Sequence, residues 1–346
     1  MKIAQIAPLY ESVPPQGYGG TERVVHYLTE ELVALGHDVT LFASGDSRTS
    51  ALLQACSPRS LRLDPTTRDP FAYHMAMLGK VATEQPGFDV LHFHIDYLHF
   101  PMSKVIGWPH LTTLHGRLDL PELQSVYDQF PDMPVVSISN DQRKPLPQPG
   151  WVGTVHHGLP KDLLAFSPRA GDYFAFLGRV SPEKRVDRAI EIAGRLKAPL
   201  RIAAKVDNAD REYHEQTIAP LLKASHVEFI GEIGEESKSE FLGGARALLF
   251  PIDWPEPFGL VMIEAMACGT PVIAFRKGSV PEIIDHGVTG FIVDTMEQAV
   301  EAAGRATELS RWRVREQFER RFTSRHMASN YLRLYERLAD RKQRAA

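Results

Sequence analysis

The chain has 346 residues, of which 43% are hydrophobic and 24% are charged, and its formal net charge is −4 at pH 7. This length exceeds the size at which a single hydrophobic core stops growing, so two domains are expected, and the ordinary composition gives no reason to expect disorder. The slightly acidic balance argues against a nucleic-acid partner. The two cysteines, Cys56 and Cys268, indicate neither a disulfide framework nor a thiolate zinc cluster, and they suit a reducing cytoplasm.

The first half of the chain alternates between strand-like and helix-like segments. Residues 2–7 are predicted to form a strand, because this apolar run is too short for the core of a signal peptide or for a membrane span. Residues 21–35 have helical spacing and residues 38–43 form a second strand, which completes a βαβ unit. Further strands are predicted at residues 90–93, 111–114 and 135–138, with helices at 71–84 and 121–129.

A second alternating series follows residues 144–172, a stretch rich in proline and glycine where the hinge between two domains is expected. Its strands are predicted at residues 173–177, 200–204, 227–230, 247–250, 272–275 and 291–293. This alternation predicts an α/β fold with two doubly wound, Rossmann-like halves, each built on a parallel sheet that is covered on both faces. The predicted domains are residues 1–160 and 161–324, followed by a helix at 325–346 that packs back on the N-terminal domain.

The segment WPEPFGLVMIEAMACGTP carries two glutamates eight positions apart, Glu256 and Glu264. The first lies in a proline-rich loop and the second in a predicted helix, so one surface would offer both carboxylates to hydroxyl groups. The N–H groups of Phe258, Gly259 and Leu260 would be unpaired at the helix start, where they favour a phosphate, and the glycine permits close approach of a ligand. Together these features suggest a sugar nucleotide; solvated surface glutamates are the alternative.

The segment GRVSPEK, which follows a predicted strand, carries two cations. Arg179 ends the strand, Ser181 can cap the next helix, and Pro182 can occupy the first helical position. Lys184 then falls in the first turn of that helix, where a bound anion would offset its charge. A diphosphate site is therefore predicted, with two solvated surface cations as the alternative.

The segment GYGGT follows the first predicted strand and a long proline-rich loop. Gly19 and Gly20 precede Thr21, which can cap a helix N-terminus, and this arrangement suits a phosphate or a closely approaching sugar. It is not the GxGxxG motif of dinucleotide enzymes, because the tight strand-to-helix turn is missing. A plain flexible loop is the alternative.

Histidines follow two of the predicted strands. His115 lies after a strand, where it can bond a substrate hydroxyl or assist a proton movement; a structural histidine is the alternative. His92, His94 and Asp96 alternate along another strand end and are candidate metal ligands. The metal interpretation is the less favoured one, because three side chains along one strand end seldom close a site.

Three of these segments resemble the retaining glycosyltransferases of family 4, the glycogen-synthase-like and mannosyltransferase-like group. EPFGLVMIEAMACGTPVIA is similar to the E-x7-E signature of the family, FLGRVSPEKRVD to its arginine and lysine diphosphate clamp, and GYGGTERVV to its first glycine loop and helix. The resemblance covers nearly the whole chain. It implies the GT-B architecture, in which two Rossmann-like domains flank a cleft, with the acceptor on the N-terminal side and the donor on the C-terminal side.

The resemblance also implies a contact with the donor for each candidate residue. The implied contacts are the diphosphate for Arg179, Lys184, Gly19 and Gly20, the transferred sugar for Glu256 and His115, the ribose for Glu264, and the nucleobase for Ile233 and Lys238. The helix start at Phe258, Gly259 and Leu260 completes the predicted substrate-binding set. Residues 162–169 offer no recognisable acceptor signature.

The expected activity is the transfer of a hexosyl unit from a UDP- or GDP-sugar to the hydroxyl of a sugar, glycan or lipid-linked acceptor, with retention of configuration. Neither a metal nor a cofactor is expected. Two alternatives stay open, namely a GT-B-type epimerase or phosphorylase, and a non-catalytic sugar-nucleotide-binding protein. The basic residues 312–325 are expected to form a solvated helix face, with peripheral membrane contact as the minor alternative.

Overall fold

The computed structural model describes residues 1–17 and 19–345, so Tyr18 of the predicted glycine loop lies outside the described residues. The chain forms two compact units. Lys161–Thr323 makes up unit 2, and the residues before and after this segment make up unit 1.

Unit 1 is built on a single parallel sheet of seven strands. The strands are β1 (Lys2–Ile6), β2 (Asp38–Ser44), β3 (Leu52–Ser57), β4 (Val90–Phe93), β5 (His110–Thr113), β6 (Pro134–Ser137) and β7 (Gly150–Thr154), in the order β3-β2-β1-β4-β5-β6-β7. The helices between them are α1 (Gly20–Ala34), α2 (Pro70–Glu84), α3 (Phe100–Ile106) and α4 (Pro121–Gln129), and short 3-10 turns occupy Gln85–Gly87 and Asp141–Arg143. Strands β1 and β4 are almost entirely buried, as the predicted parallel architecture requires.

The two edge strands of this sheet were not predicted from the sequence. The β3 sequence LLQACS is only partly buried, and every residue of β7 is partly exposed. A strand at an edge pairs on one side only and can face solvent, so its sequence lacks the continuous apolar run that identifies internal strands. Because β7 pairs with β6, Gly150–Thr154 belongs to the sheet of unit 1, and the chain passes into unit 2 only after Pro160, within the segment where the hinge was expected.

Unit 2 repeats the architecture with six parallel strands. These are β8 (Tyr173–Arg179), β9 (Leu200–Lys205), β10 (Val227–Gly231), β11 (Ala245–Phe250), β12 (Val272–Phe275) and β13 (Gly290–Val293), in the order β10-β9-β8-β11-β12-β13. The helices are α5 (Val186–Arg195), α6 (Arg211–Tyr213), α7 (Ala219–Leu221), α8 (Glu235–Gly243), α9 (Leu260–Ala267), α10 (Val280–Ile283), α11 (Met296–Gly304) and α12 (Arg311–Arg321). A π-helical turn spans His214–Ile218, and 3-10 turns span Asn208–Asp210 and Ala306–Glu308.

The last helix, α13 (Ser324–Ala345), belongs to unit 1. Its first residue, Ser324, forms hydrogen bonds through both its backbone and its side chain. The N–H donates to the Leu159 carbonyl at 2.7 Å, and the hydroxyl donates to Glu31 at 2.8 Å. Tyr331 and Tyr335 on its apolar face are buried. No helix in the described part of the chain combines the length and the apolar character that a bilayer span requires.

Helix α12 is fastened to unit 2 by two buried arginines. Arg311 donates to the backbone carbonyls of Ser167 at 2.7 Å and Gly243 at 2.7 Å, and also to the Thr270 hydroxyl at 2.7 Å. Arg315 donates to the carbonyls of Ala267 at 2.6 Å and Lys161 at 2.7 Å, together with Leu164 at 3.2 Å. The expectation of a solvated face over residues 312–325 is therefore wrong for Arg315. Its guanidinium is buried and donates hydrogen bonds to backbone carbonyls of unit 2.

We expect Arg311→Met to lower the free energy of unfolding of unit 2 by about 3 kcal/mol, because several buried carbonyls would lose a charged donor at once. Thermal and urea unfolding of the full chain measure the loss. Arg313→Met is the matched control, since Arg313 lies on the same helix and is exposed. Equal midpoints for the two variants would contradict a structural role for Arg311.

Candidate functional site

The predicted donor-binding residues of the C-terminal half all lie in unit 2, most of them just beyond the carboxyl ends of parallel strands. Arg179 is the last residue of β8, and Lys184 lies in the turn that follows. Glu256 lies in the loop between β11 and α9, and Glu264 lies within α9, as their spacing predicts. In open parallel sheets this edge is where ligands bind.

Glu256 is paired with Lys184. The Lys184 ammonium donates to Glu256 Oε2, and the Trp254 indole N–H donates to the same oxygen at 3.0 Å. The ammonium also lies 5.3 Å from the centre of the Trp254 ring and 5.8 Å from that of Phe250. Because both donors contact Oε2, the other carboxylate oxygen, Oε1, is the one placed to accept a hydrogen bond from a ligand.

Glu264 is paired with a lysine in the same manner. The Lys238 ammonium of α8 donates to Glu264 Oε1 at 2.5 Å, and the two side chains are only 13% and 6% exposed. The family resemblance placed Lys238 at the nucleobase, and its pairing with Glu264 was not predicted from the sequence. Ile233 lies in the loop between β10 and α8, five residues before the lysine. The pair thus places one acidic and one basic group together at the predicted nucleoside end of the site.

Arg179 lies among carboxylates. Its guanidinium is 3.5 Å from Glu183, 3.4 Å from Asp207 and 3.8 Å from Asp210. Burial would raise the pKa of Asp207, but hydrogen bonds from Lys205 and Arg179 hold that pKa below its ordinary value. The Arg179 Nε has no hydrogen-bond partner among residues 1–17 and 19–345. These acidic side chains hold the guanidinium at the end of β8, and their contacts with Arg179 were not predicted from the sequence.

The turn after β8 differs from the prediction. Helix α5 begins only at Val186, after Arg185 in the left-handed conformation at φ 54°, so Pro182 does not open the helix and Lys184 is not in its first turn. The Lys184 N–H donates to the Ser181 carbonyl at 3.1 Å. The Ser181 hydroxyl makes no cap and has no partner in the described chain. The extra turn brings the lysine ammonium to Glu256.

Helix α9 begins at Leu260 without a side-chain cap, and Gly259 precedes it at φ 79°. A Cβ on Gly259 would lie 2.9 Å from Met262 Cε and 3.2 Å from Phe250 Cζ, so both the backbone conformation and the packing require glycine there. Phe258 is 2% exposed, so its side chain belongs to the core. Its backbone still shapes the helix start.

The loop after β12 supports the Glu256 loop through hydrogen bonds, and this contact was not predicted from the sequence. Ser279 donates from its N–H to the Glu256 carbonyl at 3.0 Å and from its hydroxyl to the Phe258 carbonyl at 2.7 Å. Gly278 has φ 54°, and a Cβ there would lie 2.3 Å from the Glu256 nitrogen. A glycine and a serine after β12 were the available signal, because only glycine fits so tight a backbone approach.

The predicted glycine loop lies in unit 1. Helix α1 begins at Gly20 with Gly19 before it and no side-chain cap, so the prediction that Thr21 caps the helix is wrong. The backbone of Gly19 is extended at φ 178°, and a Cβ there would lie 2.8 Å from Pro15 Cβ. Close packing against the proline loop therefore explains this glycine. Glu22 in the first turn is buried, which raises its pKa.

His115 follows β5 in unit 1 and is held within a group of histidines. Its Nε2 is hydrogen-bonded to His94 Nδ1 at 2.9 Å, and its ring stacks on His157 with centroids 5.3 Å apart. Burial lowers the pKa of His115 to about 3, so the imidazole is neutral at neutral pH. A neutral imidazole offers one donor and one acceptor, and therefore suits hydrogen bonding to a hydroxyl.

The two histidines among the candidate metal ligands have other partners. His92 is bonded to the hydroxyls of Tyr335 at 2.7 Å and Thr113 at 2.8 Å, and His94 is bonded to Gln5 at 2.8 Å and to His115. All four ring nitrogens are thus engaged within the protein. The described residues contain no group of three or more histidine, cysteine or acidic side chains arranged for a metal ion. The metal interpretation of this strand end is wrong.

Comparison with known proteins assigns the family. The model described as "Glycosyl transferases group 1" matches residues 166–323, and that of "Glycosyltransferase Family 4" matches residues 18–133. The chain is 26% identical to N-acetyl-alpha-D-glucosaminyl L-malate synthase of Bacillus anthracis, over 97% of both proteins.

Solved structures show the same fold. Sucrose-phosphate synthase from Thermosynechococcus elongatus matches with a TM-score of 0.77 at 21% identity, covering 98% of this chain and 99% of that one. The Anabaena protein HepE in complex with UDP and glucose matches with a TM-score of 0.74 at 17% identity, covering 97% and 99%. With the two family models spanning most of unit 1 and nearly all of unit 2, the chain belongs to the family 4 glycosyltransferases, which have the GT-B architecture.

Proposed function

We propose that this glycosyltransferase moves a hexosyl unit from a nucleoside diphosphate sugar to a hydroxyl acceptor with retention of anomeric configuration. The observation that carries the proposal is the presence of two lysine–glutamate pairs in unit 2, Lys184 with Glu256 and Lys238 with Glu264. The first pair combines an acceptor for hydroxyls with a cation for phosphate, and the second offers an acceptor for the ribose beside the predicted nucleobase contact. A sugar nucleotide carries hydroxyl groups on both sides of its diphosphate. Glu256 and Glu264 offer carboxylates for these two sets of hydroxyls, and Lys184 offers a positive charge for the diphosphate.

Leaving-group stabilisation is the main source of rate in this proposal. As the anomeric C–O bond breaks, negative charge develops on the departing diphosphate, and cations fixed in place lower the barrier. Arg179 and Lys184 would supply that charge, with the N–H groups at the start of α9. Glu256 would bind hydroxyls of the transferred sugar through Oε1, and Glu264 would bind the ribose. These cations are the reason that we propose neither a metal nor a cofactor.

Retention follows if the leaving phosphate accepts the proton of the acceptor hydroxyl on the face from which it departs. A glycosidase would need two carboxylates flanking the bond, one of them acting as a general acid. The lysine pairing of Glu256 and Glu264 fits hydroxyl ligands better than an acid and a nucleophile. His115, which is neutral because burial lowers its pKa to about 3, would accept or donate one hydrogen bond to the donor sugar.

For the donor we propose a UDP- or GDP-sugar. Related solved structures contain UDP, UDP with glucose, and UDP-glucose, which favours the uridine series among the candidates. A thermal-shift screen against UDP-, GDP- and ADP-sugars identifies the donor, because a ligand that binds the folded state raises the melting temperature by mass action.

The test of the activity is release of nucleoside diphosphate that depends on an acceptor, with the anomeric configuration of the product read by NMR. Glu256→Ala is expected to abolish transfer and to preserve most of the affinity for the nucleoside diphosphate. Turnover by Glu256→Ala at the wild-type rate would refute the assigned role of that residue. Donor binding without acceptor-dependent release would favour the non-catalytic binding protein, and isomerised donor without release would favour the epimerase.

A further inference from the structure

A continuous chain of buried hydrogen bonds joins helix α13 to His115 inside unit 1. The Gln5 amide is bonded to Tyr335 Oη at 3.1 Å through Nε2 and to His94 Nε2 at 2.8 Å through Oε1. His94 Nδ1 is bonded in turn to His115 Nε2 at 2.9 Å. Gln5 and Tyr335 are fully buried, and His94 is 3% exposed, so water does not substitute for these partners.

The positions of the protons along this chain follow from the Gln5 amide. Its Oε1 accepts only, so His94 Nε2 must carry a proton. Burial lowers the pKa of His94 well below the ordinary value, and the ring is therefore neutral with a lone pair on Nδ1. That lone pair requires His115 to donate from Nε2. His115, also neutral, is left with an acceptor at Nδ1.

The other end of the amide is fixed by Tyr335. Gln5 Nε2 donates to the tyrosine oxygen, whose own proton points to His92 Nδ1 at 2.7 Å. His92 then donates from Nε2 to the Thr113 hydroxyl at 2.8 Å. Gln5 and His92 are neighbours in the register of β1 and β4, which holds the branch together. Without the tyrosine oxygen, the amide would have no acceptor for Nε2 and its orientation would not be set.

The outer end of the chain points to a ligand. His115 Nδ1 is buried and has no hydrogen-bond partner within the described residues. An acceptor in this position costs stability unless something donates to it, and a hydroxyl group is the complementary donor. The Gln5 and Tyr335 positions lie outside both spans matched by the family models, residues 18–133 and 166–323. The family models therefore say nothing about these two residues, and their role has to be tested in this protein.

We propose that Gln5, oriented by Tyr335, is a positioning residue that holds His115 in the neutral tautomer protonated at Nε2, so that Nδ1 accepts a hydrogen bond from a donor-sugar hydroxyl. The identity of that ligand rests on the proposed function, whereas the tautomer does not. Neither Gln5 nor Tyr335 touches substrate in this account; both act through His94.

Nitrogen-15 NMR of the full chain with labelled histidine reads the tautomer directly and needs no substrate. In the wild type, His115, assigned by the resonance missing in His115→Gln, is expected to be protonated at Nε2 and unprotonated at Nδ1 near pH 7. A proton at Nδ1 instead would overturn the proposal. In Tyr335→Phe and in Gln5→Leu, both His115 nitrogens are expected to shift towards intermediate values, as a mixture of tautomers gives.

Tyr331→Phe is the matched control, because Tyr331 is 1% exposed on the same helix and bonds Thr113 at 2.9 Å, on the branch that does not lead to His115. It should lower thermal stability as much as Tyr335→Phe does and leave the His115 resonances unchanged. If His115 responds equally in both variants, or in neither, the role of Tyr335 is refuted. Transfer should fall about tenfold in Tyr335→Phe alone, the cost of one hydrogen bond. A tautomer as proposed with no transfer from any sugar nucleotide would refute the proposed function instead.

Discussion

Lys184→Ala is expected to lower kcat for hexosyl transfer by roughly 10²–10³-fold, the usual cost of removing one fixed group that stabilises developing charge. Lys184 is 16% exposed and contacts Glu256 and two aromatic rings, so its ammonium is already positioned and needs little reorganisation when charge develops on the diphosphate. Removing it also leaves the Glu256 carboxylate, 12% exposed, without its ionic partner. Steady-state kinetics with the donor identified by thermal shift measure the effect.

The matched control is Lys223→Ala, because Lys223 is an exposed lysine of the same unit that forms no ion pair in the described part of the chain. It should retain wild-type kinetics and wild-type stability within about 1 kcal/mol. Calorimetry separates binding from chemistry, since Lys184→Ala should also weaken the affinity for the nucleoside diphosphate. A wild-type affinity and a wild-type kcat in this variant would remove Lys184 from the proposed mechanism.

Acidification is expected to unfold unit 1 before unit 2. Among the described residues, burial lowers the pKa of eight histidines, and all eight lie in unit 1. They are His37, His74, His92, His94, His99, His110, His115 and His157. In the unfolded chain each takes up a proton near its ordinary pKa of about 6.5, whereas the folded unit keeps it neutral.

The sign of the effect follows from this difference. Below about pH 6.5 the unfolded state binds more protons than the folded state, so the free energy of unfolding rises with pH and reaches a plateau above that value. Each histidine that stays neutral in the folded unit lowers the free energy of unfolding by about 1.4 kcal/mol for each pH unit below its unfolded pKa. For His115, whose pKa is lowered to about 3, the loss continues over the whole range from about pH 6.5 to pH 5, and the other buried histidines destabilise the folded unit in the same direction.

Hydrogen exchange read by mass spectrometry at pH 7, 6 and 5 resolves the two units of the full chain. Peptides from β1, β4 and β5 are expected to lose protection by pH 5, whereas those from β8, β11 and β12 should keep it. Simultaneous loss of protection in both units would contradict the assignment of acid sensitivity to the buried histidines. The measurement uses no substrate and is independent of the proposed activity.

The internal strands of the fold were predictable because burial on both faces demands a continuous apolar run. Residues 90–93 and 272–275 were predicted as strands, and β4 and β12 have the same bounds. The edge strands β3 and β7 carry mixed and partly exposed sequences, which no local pattern distinguishes from loops. The start of α5 was misplaced because Arg185 adopts a positive φ, and its guanidinium is paired with Asp187 and with the distant Asp253, a contact that local propensity does not reveal.

Within the candidate site, the sequence predicted the elements that carry the two glutamates and missed the lysine partner of each. Glu256 and Glu264 were expected on a loop and a helix, and they lie there. Their lysine partners come from positions 72 and 26 residues away, and spacing along the chain carries no information about such tertiary contacts. The same holds for the support of the Glu256 loop by Ser279.

Helix α13 has a consequence for the order in which the protein is made. Unit 2 is one continuous segment, whereas unit 1 takes its last helix from the C-terminal end of the chain. Tyr335 bonds Gln5 and His92, which precede it by 330 and 243 residues. As the ribosome elongates the chain, the later half therefore emerges whole while the earlier half still lacks its closing piece. We therefore expect unit 1 to complete its fold only after α13 has been synthesised, although most of unit 1 precedes unit 2 in the chain.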